Sequence, residues 1–444
     1  MNVKELLDIV EGKLQCGDVN TVFENISTDT RTLEPNALFI ALKGKKTNGN
    51  RYIDEAITKG CQVIITEEEI VKDIPVIKVM DCYQTLFLLG RHLRTKYKIP
   101  LIAVTGSVGK TMTKELISSI LEKRYNVLKS IKSYNNHIGL PETLFKLNET
   151  YQVVVCELGM NHLNEISNLS KMCLPDVSVI TKIGTSHIGN LGSKQNILKA
   201  KTEIIDGMNN GPLVINGDDK LLKKIQYFNI IKCGLNKRND LIAYNINPTF
   251  DKTDFKIKLD NEIHDFTFNI PGEHLLTNVL LAIQVGLLFN INIKDIKKAV
   301  SQFVNEDQRM KVVKLKNHNL LIDDCYNASY ESIIGGIETI KKSPLIKVII
   351  LGDILELGQY SHKIHSKIIN QIKKIADSFI FLVGKNYASL KIKSNKIKHF
   401  ETKEALISFL DDIKFNYTLF YVKGSRGMQL ETVAEHIKKQ INEQ

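Results

Sequence analysis

The chain has 444 residues, of which 43% are hydrophobic and 25% are charged, and its formal net charge is +11. This length and composition predict a globular protein of about three domains. The basic residues are spread along the whole chain, and the densest cluster, KIKSNKIKH at 391–399, has no interleaved aromatic residues. The charge therefore does not indicate nucleic-acid binding, and a solvated loop or edge is the preferred interpretation of that cluster.

The cysteines and the N-terminus point to a cytoplasmic protein without a membrane span. The seven cysteines are odd in number, lie far apart and never form a CxxC pair, which argues against a disulfide framework or a zinc site. The N-terminal MNVKELLDIVEGKL predicts an amphipathic helix rather than a signal peptide. The longest apolar run, VLLAIQVGLLF, is shorter than the ~18 residues that a membrane span needs.

Alternating strand and helix patterns divide the chain into three regions. Residues 1–85 predict a small α/β domain. Within 86–305, the runs LIAVT, QVVVCE, VSVITK and PLVIN alternate with helical patterns, as in a parallel sheet with crossover helices. Within 306–444, a second series consists of LLIDD, KVIILGD, FIFLVG and TLFYVKG. The sequence therefore predicts a three-domain α/β protein with boundaries near residues 85 and 305.

The stretch TGSVGKT at 105–111 follows the apolar run LIAV and begins a helical pattern. It is a shortened phosphate-binding loop, because Val104 stands where the longer motif has its first glycine. Backbone N–H groups and the helix dipole would attract phosphate there, with Lys110 reaching the β- and γ-phosphates and Thr111 reaching Mg²⁺. The alternative is a glycine turn with an exposed lysine, which the flanking strand and helix patterns disfavour.

Two further candidates follow neighbouring strand patterns. Glu157 ends YQVVVCELG, at the edge where parallel sheets place ligands, and its carboxylate could hold Mg²⁺. A helix-capping or solvated acid is the alternative interpretation. His187 follows VSVITKIGTS, but a lone histidine is more often structural than a ligand, so its role stays open on this pattern alone.

Taken together, these segments resemble the ATP-dependent Mur ligases of bacterial peptidoglycan synthesis, and the resemblance covers essentially the whole chain. KGSRGM, LGDILELG and NNHIG resemble most the branch of the family that adds D-alanyl-D-alanine to UDP-N-acetylmuramoyl-tripeptide. The matching segments are DTRTLEPNALFIALKGKKTNGNRYI at 29–53, NNHIGLPETL at 135–144, ELGMNHLNEI at 157–166, TSH, KAKTEI, PGEHLLTN at 271–278, QRMKVV at 308–313, IDDCYNAS at 322–329, LGDILELG at 351–358 and KGSRGM at 423–428.

The resemblance implies a reaction through an acyl phosphate that uses ATP, two Mg²⁺ ions and a carbamylated lysine. It assigns 1–85 to the UDP-substrate, 86–305 to ATP and 306–444 to a Rossmann-like ligase domain. The implied catalytic residues are Lys110, Glu157, His187, Lys201 and Arg309. The implied ATP contacts are Thr105, Gly106, Ser107, Val108, Gly109, Lys110, Thr111, His274, Asn278, Arg309, Asp324 and Asn327. The implied metal ligands are Thr111, Glu157, His187 and Lys201 as its carbamate.

The resemblance also implies substrate contacts in the first two regions, and it leads us to expect a monomer. The implied contacts to the UDP moiety are Thr28, Thr30, Arg31, Lys45, Lys46 and Thr47. The implied contacts along the muramoyl-peptide path are Asn135, Asn136, Thr143, Asn161 and His162.

The chain departs from the family pattern at three places. Leu275 follows His274 where the family usually has asparagine, Ser133 replaces an asparagine, and SYES at 329–332 stands where the family usually has N-P-D-S. These departures concern the adenine side and substrate recognition, and they leave every phosphate and metal group in place.

The sequence is less compatible with three other functions. The related enzyme that adds lysine or diaminopimelate commonly carries Asp-Asn-Pro-Arg in its last domain, and 306–444 lacks it. Folylpolyglutamate synthetase shares the central loop but lacks a first domain like 29–53. A non-catalytic nucleotide-binding regulator would tolerate the loss of Glu157, His187, Lys201 and Arg309, yet all four are present.

Two histidines and two acids have plainer interpretations. HKIH at 362–365 has a spacing that could bind a metal, but the lysine-rich surroundings favour a solvated helix face. Asp323 and Asp324 could be paired acid–base carboxylates, whereas the resemblance makes Asp324 a ribose contact and Asp323 its neighbour.

Overall fold

The structure is a computed structural model and describes residues 1–44, 47–131, 134–249, 251–305 and 308–443. The expected substrate contacts Lys45 and Lys46, and the departure at Ser133, lie outside these residues. Within the described part, three sheets follow one another along the chain, with five, nine and six strands. The α/β class and the three-part organisation expected from the sequence are confirmed. None of the helices in these ranges is long and apolar enough to cross a membrane.

The first sheet has the order β1-β5-β4-β3-β2 and is parallel except for β1. Its helix α1 begins with a capping box between Asn2 and Glu5, which satisfies two backbone N–H groups. The strands are β1 Lys13–Cys16, β2 Asn25–Ser27, β3 Ala37–Ile40, β4 Val63–Thr66 and β5 Val76–Lys78, and the helices are α1 Val3–Val10, α2 Ile53–Thr58 and α3 Cys82–Lys96.

Helix α3 joins the first sheet to the central one. Its first half places Cys82, Leu86 and Leu89 in the hydrophobic core of the first sheet. Near its end, the buried Arg94 donates to the carbonyl of Cys173 at 2.7 Å and to the carboxylate of Asp176 at 2.7 Å, both in the central region. The boundary expected between residues 85 and 86 therefore falls inside a continuous helix.

The central sheet has the order β14-β13-β12-β11-β10-β9-β6-β8-β7. Strands β7 to β12 are parallel, whereas β12, β13 and β14 form an antiparallel edge that the sequence patterns did not predict. The strands are β6 Leu101–Thr105, β7 Val127–Lys129, β8 Val153–Glu157, β9 Val177–Ile180, β10 Leu213–Asn216, β11 Ile230–Gly234, β12 Leu241–Pro248, β13 Thr253–Leu259 and β14 Glu262–Phe268, and the helices are α4 Lys110–Leu121, α5 Gly139–Leu144, α6 Glu165–Cys173, α7 Ile188–Leu191, α8 Lys194–Thr202, α9 Leu276–Leu288 and α10 Ile293–Gln302.

The middle of this sheet explains where ligands can bind. Strands β6 and β8 are buried along their whole length, as expected for parallel strands covered on both faces. Strand β6 pairs with both β8 and β9, so Val104 lies beside Glu157 and Thr105 lies beside Ile180. The loops that leave the carboxyl ends of these three strands therefore meet at one edge of the sheet.

The third sheet has the order β15-β16-β20-β17-β18-β19 and is parallel except for the edge strand β15. The basic stretch 391–399 is largely exposed and leads into the opposite edge strand, which agrees with its interpretation as a solvated edge. The strands are β15 Lys311–Lys314, β16 Leu320–Asp323, β17 Ile346–Gly352, β18 Ser378–Val383, β19 Ile397–Phe400 and β20 Thr418–Lys423, and the helices are α11 Tyr330–Lys341, α12 Ser361–Ile372, α13 Lys385–Ala388, α14 Lys403–Asp411 and α15 Glu431–Glu443.

The prediction that HKIH forms a solvated helix face is wrong for its second histidine. His365 is fully buried in α12 on the same face as Ile364 and Ile368. The Ile354 backbone N–H donates to its Nε2 at 3.1 Å, and its Nδ1 lies 2.8 Å from the Ser361 carbonyl. The histidine follows the apolar face of the helix because its position, rather than its polarity, decides its burial.

Candidate functional site

The stretch 105–111 forms a tight turn between β6 and α4. Gly106 and Gly109 have φ values of 148° and 88°, which side-chain-bearing residues rarely adopt. A Cβ at Gly106 would lie 1.9 Å from the Thr181 hydroxyl, and one at Gly109 would lie 2.6 Å from the Asn278 amide. Both glycines are therefore needed for the close approach of neighbouring segments, in addition to their backbone conformation.

The turn is held by the loop that follows β9. The Ser107 N–H donates to the Lys182 carbonyl at 2.8 Å, and the Thr181 hydroxyl donates to the Val108 carbonyl at 2.6 Å. Lys110, at the start of α4, is partly buried and donates to the Gly106 carbonyl at 3.0 Å. The lysine thus folds over the loop in which phosphate would bind.

Glu157 lies against this turn from the end of β8 and is only 1% exposed. One carboxylate oxygen accepts from the Thr111 hydroxyl at 2.8 Å, and the other accepts from the Asn135 amide at 2.8 Å. Both partners are neutral, so the charge of Glu157 is not cancelled by them. A buried carboxylate beside a hydroxyl is a pair of hard oxygen ligands suited to Mg²⁺.

Lys201 is fully buried near the end of α8. Its Nζ has no hydrogen-bond partner among the described residues. Burial, together with the charge of Lys110, lowers the pKa of Lys201 well below its ordinary value. Burial therefore favours the neutral and nucleophilic form of the amine.

His187 lies in the loop after β9 and adopts a left-handed backbone conformation with φ of 61°. Its Nδ1 is 3.0 Å from a carboxylate oxygen of Glu356, which follows β17 in the third sheet. The nearby imidazole holds the pKa of Glu356 below its ordinary value. The expected ligand thus lies where the central and third sheets meet.

Charged groups of the third sheet face the phosphate-binding turn. An Arg309 guanidinium nitrogen donates to the Thr111 hydroxyl at 3.1 Å, and the guanidinium lies 3.9 Å from the centre of the Tyr326 ring. Asp324 is buried and accepts from Lys423 at 2.6 Å. Lys423 thus holds the Asp324 carboxylate in a fixed position at the edge of the site.

The residues expected near the adenine lie at the other side of the turn. Asn278, in α9, is buried against Gly109. His274 packs on Gly335 of α11, and its Nδ1 is 3.3 Å from the Thr339 hydroxyl. Both residues belong to the central region, and His274 faces an element of the third, so their expected contacts with a base stay a prediction.

A cavity of about 1760 Å³ is lined by most of these groups, but not by Lys201 or Glu356. It is bordered by all three sheets' elements and is large enough for more than one ligand of nucleotide size. A second cavity of about 90 Å³ adjoins it at Asn327, which lines both, and is also bordered by Ser425 and Arg426.

The residues expected to contact the substrate are only partly brought together. Asn135, Asn136 and Asn161 line the large cavity, whereas the other described ones do not. Thr28 instead donates to Glu142 at 2.6 Å, the exposed Arg31 pairs with Asp29, and the Thr143 hydroxyl donates to a carbonyl of its own helix. The described residues outside the lining are Thr28, Thr30, Arg31, Thr47, Thr143 and His162.

Sequence reasoning missed several charged residues at the site. Lys423, Glu331 and Glu356 lie within motifs that were recognised, yet nothing local indicated which elements they would contact. Glu331 replaces the aspartate of the family's N-P-D-S segment and contacts the central region. This departure from the family pattern was the sequence feature that could have drawn attention to Glu331.

Within the described ranges, no group of three or more His, Cys, Asp and Glu side chains could hold a metal by itself. Glu157 and Thr111 nevertheless fit Mg²⁺, with phosphate oxygens and water able to supply the remaining ligands, as is usual for this ion.

Three family models match the chain. Residues 104–286 match the Mur ligase middle domain, 308–426 match the Mur ligase glutamate ligase domain, and 22–84 match the Mur ligase family catalytic domain.

Whole-length relatives support the same grouping. The chain is similar to the UDP-N-acetylmuramoyl-tripeptide--D-alanyl-D-alanine ligase of Bacillus subtilis, with 32% identity over 98% of each chain. It is 29% identical to the ligase of that name from Escherichia coli, over 99% of this chain and 98% of the relative. Among solved structures, MurF from Acinetobacter baumannii has 28% identity and a TM-score of 0.93, covering 99% of this chain and 98% of its own.

The fold also resembles a MurF ligase from Thermotoga maritima in complex with ADP. The two chains are 24% identical with a TM-score of 0.86, over 95% of this chain and 98% of the other.

Proposed function

The chain belongs to the Mur ligase family, and we propose that it is the ATP-dependent ligase that joins D-alanyl-D-alanine to UDP-N-acetylmuramoyl-tripeptide in peptidoglycan precursor synthesis. The observation that carries this proposal is the contact of Arg309 with Thr111, which brings the third sheet onto the phosphate-binding turn at the large cavity. The relatives that bear this activity in their names align with this chain over almost its whole length.

The reaction has two steps that balance without a nucleophilic residue of the protein. The terminal carboxylate of the tripeptide attacks the γ-phosphorus of ATP, so an acyl phosphate forms and ADP leaves. The neutral amine of the dipeptide then attacks the acyl carbon. The C–N bond forms, the bond from carbon to the phosphate oxygen breaks, and the nitrogen loses a proton.

The residues at the turn would act by position and charge. Lys110, which folds over the loop, and Arg309, which contacts Thr111, would neutralise the negative charge on the transferred phosphoryl group. Asp324, held by Lys423, and Asn327 would position the nucleotide from the third sheet. None of these residues acts as a nucleophile, so catalysis depends on how closely the central and third sheets approach each other.

Mg²⁺ would be held by Glu157 and Thr111, with His187 and a carbamate of Lys201 as further ligands. The ion would supply charge neutralisation for the phosphates when bound. Carbamylation is supported by the buried, unpartnered Nζ and by the lowered pKa of Lys201, because CO₂ reacts with a neutral amine. The N–C bond forms as a proton is lost, which leaves two hard oxygens at the end of the side chain.

The small cavity is the proposed place of the incoming dipeptide. D-Alanyl-D-alanine carries a carboxylate, which the exposed Arg426 guanidinium can pair with, and two methyl groups that need little space. Asn327 is among the residues that line both cavities, so an amine seated here would lie next to the large cavity and its activated carboxyl group.

The proposal is tested by phosphate release and product mass with purified UDP-N-acetylmuramoyl-tripeptides, with and without D-alanyl-D-alanine. We expect ligation only when ATP, tripeptide and dipeptide are all present. As a comparison, ligation is measured with lysine or diaminopimelate as the amine and the UDP-N-acetylmuramoyl-dipeptide precursor as the acid. Robust addition of either amino acid would assign the chain to the neighbouring branch, and ATP binding without any turnover would support a nucleotide-binding regulator.

We also infer that the enzyme acts in the cytoplasm, where ATP and nucleotide-linked precursors are present. All seven of its cysteines are free thiols, in keeping with a reducing compartment.

A further inference from the structure

The loop and helices from Thr185 to Lys194 belong to the central region but are held largely by the third sheet. The Glu356 carbonyl accepts from the Gly189 N–H at 3.1 Å, and the Glu356 carboxylate contacts His187. The Tyr360 hydroxyl donates to the Gly192 carbonyl.

Glu331 fastens both ends of this segment with one carboxylate. Its Oε2 accepts from the Thr185 N–H at 2.9 Å and from the Thr185 hydroxyl at 2.8 Å, while its Oε1 accepts from Lys194 at 3.0 Å. A Cβ at Gly184 would lie 2.7 Å from Oε2, so the carboxylate is in direct contact with the loop backbone.

The position of Glu331 in α11 strengthens this attachment. It lies in the first turn of the helix, after the capping residue Ser329, where the helix dipole favours a negative charge. Its side chain is 8% exposed. Burial by itself would raise the pKa of Glu331, but Lys194 and the hydrogen bonds from Thr185 hold it below its ordinary value.

The fastened segment carries two groups of the proposed site. His187 lies two residues after Thr185, and Lys201 lies on α8, which begins at Lys194. A shift of either end would move one of these groups relative to Glu157, which is fixed in β8. Misplacement of about 1 Å can cost about 100-fold in rate.

We propose that Glu331 is a positioning residue that makes the placement of His187 and Lys201 depend on the docking of the third sheet onto the central one. The inference rests on the proposed function for its kinetic consequence. The carboxylate itself need not touch a reacting atom, because it acts through the segment that it holds.

The test compares the wild type with Glu331→Gln, Glu331→Asp and Lys194→Met. Glu404→Gln is a matched control, because Glu404 is also the second residue of a side-chain-capped helix, α14, but is exposed. We expect Glu331→Gln to lower kcat by about 10- to 100-fold with less than about threefold change in KM for ATP. The aspartate variant keeps the charge on a shorter arm and should lie between Glu331→Gln and the wild type, whereas Glu404→Gln should match the wild type.

Hydrogen–deuterium exchange on the free protein distinguishes a local release of this segment from a general loss of stability. In Glu331→Gln and in Lys194→Met, exchange should increase in a peptide covering residues 183–196 and stay unchanged in one covering β8. This measurement needs no turnover, so it distinguishes failure of the inference from failure of the proposed ligase activity.

Wild-type exchange across 183–196 in Glu331→Gln, together with an unchanged kcat, would overturn the inference. Increased exchange throughout the chain in that variant would assign Glu331 a purely structural role and would overturn it as well. Should Glu331→Gln not fold, Lys194→Met decides by the same two criteria.

Discussion

Replacing Lys201 by methionine should separate the chemistry of this side chain from its packing. The side chain is fully buried, and its Nζ has no partner among the described residues. Methionine has a similar length and no polar end, so α8 should pack as before. Leaving a buried polar group unpaired costs about 1–3 kcal/mol. When both proteins are measured with a chelator and without CO₂, the free energy of unfolding of Lys201→Met should therefore exceed that of the wild type by about this amount.

The gain should depend on pH in a defined direction. Because the pKa of Lys201 is lowered in the folded state, the unfolded chain binds more protons than the folded one between that pKa and about 10.4. The wild type is therefore penalised most at the lower end of this window, and the penalty fades as the pH approaches about 10.4. Urea unfolding of both proteins at neutral and alkaline pH should show the advantage of Lys201→Met shrinking at alkaline pH to the part that comes from the unpaired neutral amine.

Activity should change in the opposite sense. Loss of a carbamate that orients metal should reduce ligation by about 10- to 100-fold or more, whereas Lys199→Met, on the exposed face of the same helix, should change little. In Lys201→Ala, the space left by the side chain should let acetate restore part of the activity. A near-normal rate in Lys201→Met, together with no carbamate signal in a ¹³C-bicarbonate NMR spectrum of the wild type, would refute the reasoning.

Three further changes test other parts of the site. Lys110→Met should lower the ligation rate by about 10²–10³-fold with unchanged unfolding. Lys123→Met, at an exposed residue just after α4, should leave the rate unchanged, and equal rates in the two variants would contradict the phosphate role of Lys110. Gly106→Ala should cost about 1–3 kcal/mol of stability and weaken ATP binding, because its Cβ would lie 1.9 Å from the Thr181 hydroxyl. A melting temperature and an ATP affinity equal to those of the wild type would contradict this role of Gly106. Arg426→Ala should raise KM for D-alanyl-D-alanine by about 10-fold or more while leaving KM for ATP alone, and the reverse pattern would remove the dipeptide from the small cavity.

The parts of the fold that the sequence predicted are those decided by local pattern. Strand β6 and the turn at 105–111 could be located because an apolar run, two glycines and a helical pattern follow one another directly. The antiparallel edge β12–β14 was missed because its alternating pattern, as in FKIKL of β13, lies in a region where crossover helices were expected. His365 was misjudged because its helix was interpreted from its lysines rather than from the spacing of its isoleucines.

Lys110, Thr111 and Glu157 could be predicted from the loop and strand patterns, whereas the remaining candidates needed the family resemblance. Glu157 was expected to hold Mg²⁺ and Arg309 to contact ATP, and the structure brings both to Thr111. The contacts of Glu331 and Lys423 join segments 137 and 99 residues away along the chain. Such pairings depend on how the third sheet docks, and no local sequence pattern carries that information.

Helix α3 has a consequence for how the protein unfolds. One end of this helix is part of the hydrophobic core of the first sheet, and Arg94 at the other end is bound to the central region. The first sheet therefore cannot melt without withdrawing a continuous helix from its neighbour, so the two should behave as one cooperative unit. We expect scanning calorimetry to resolve two transitions, one for residues up to the end of α10 and one for the third sheet. A separate early transition of the first sheet would show that α3 breaks within its own length.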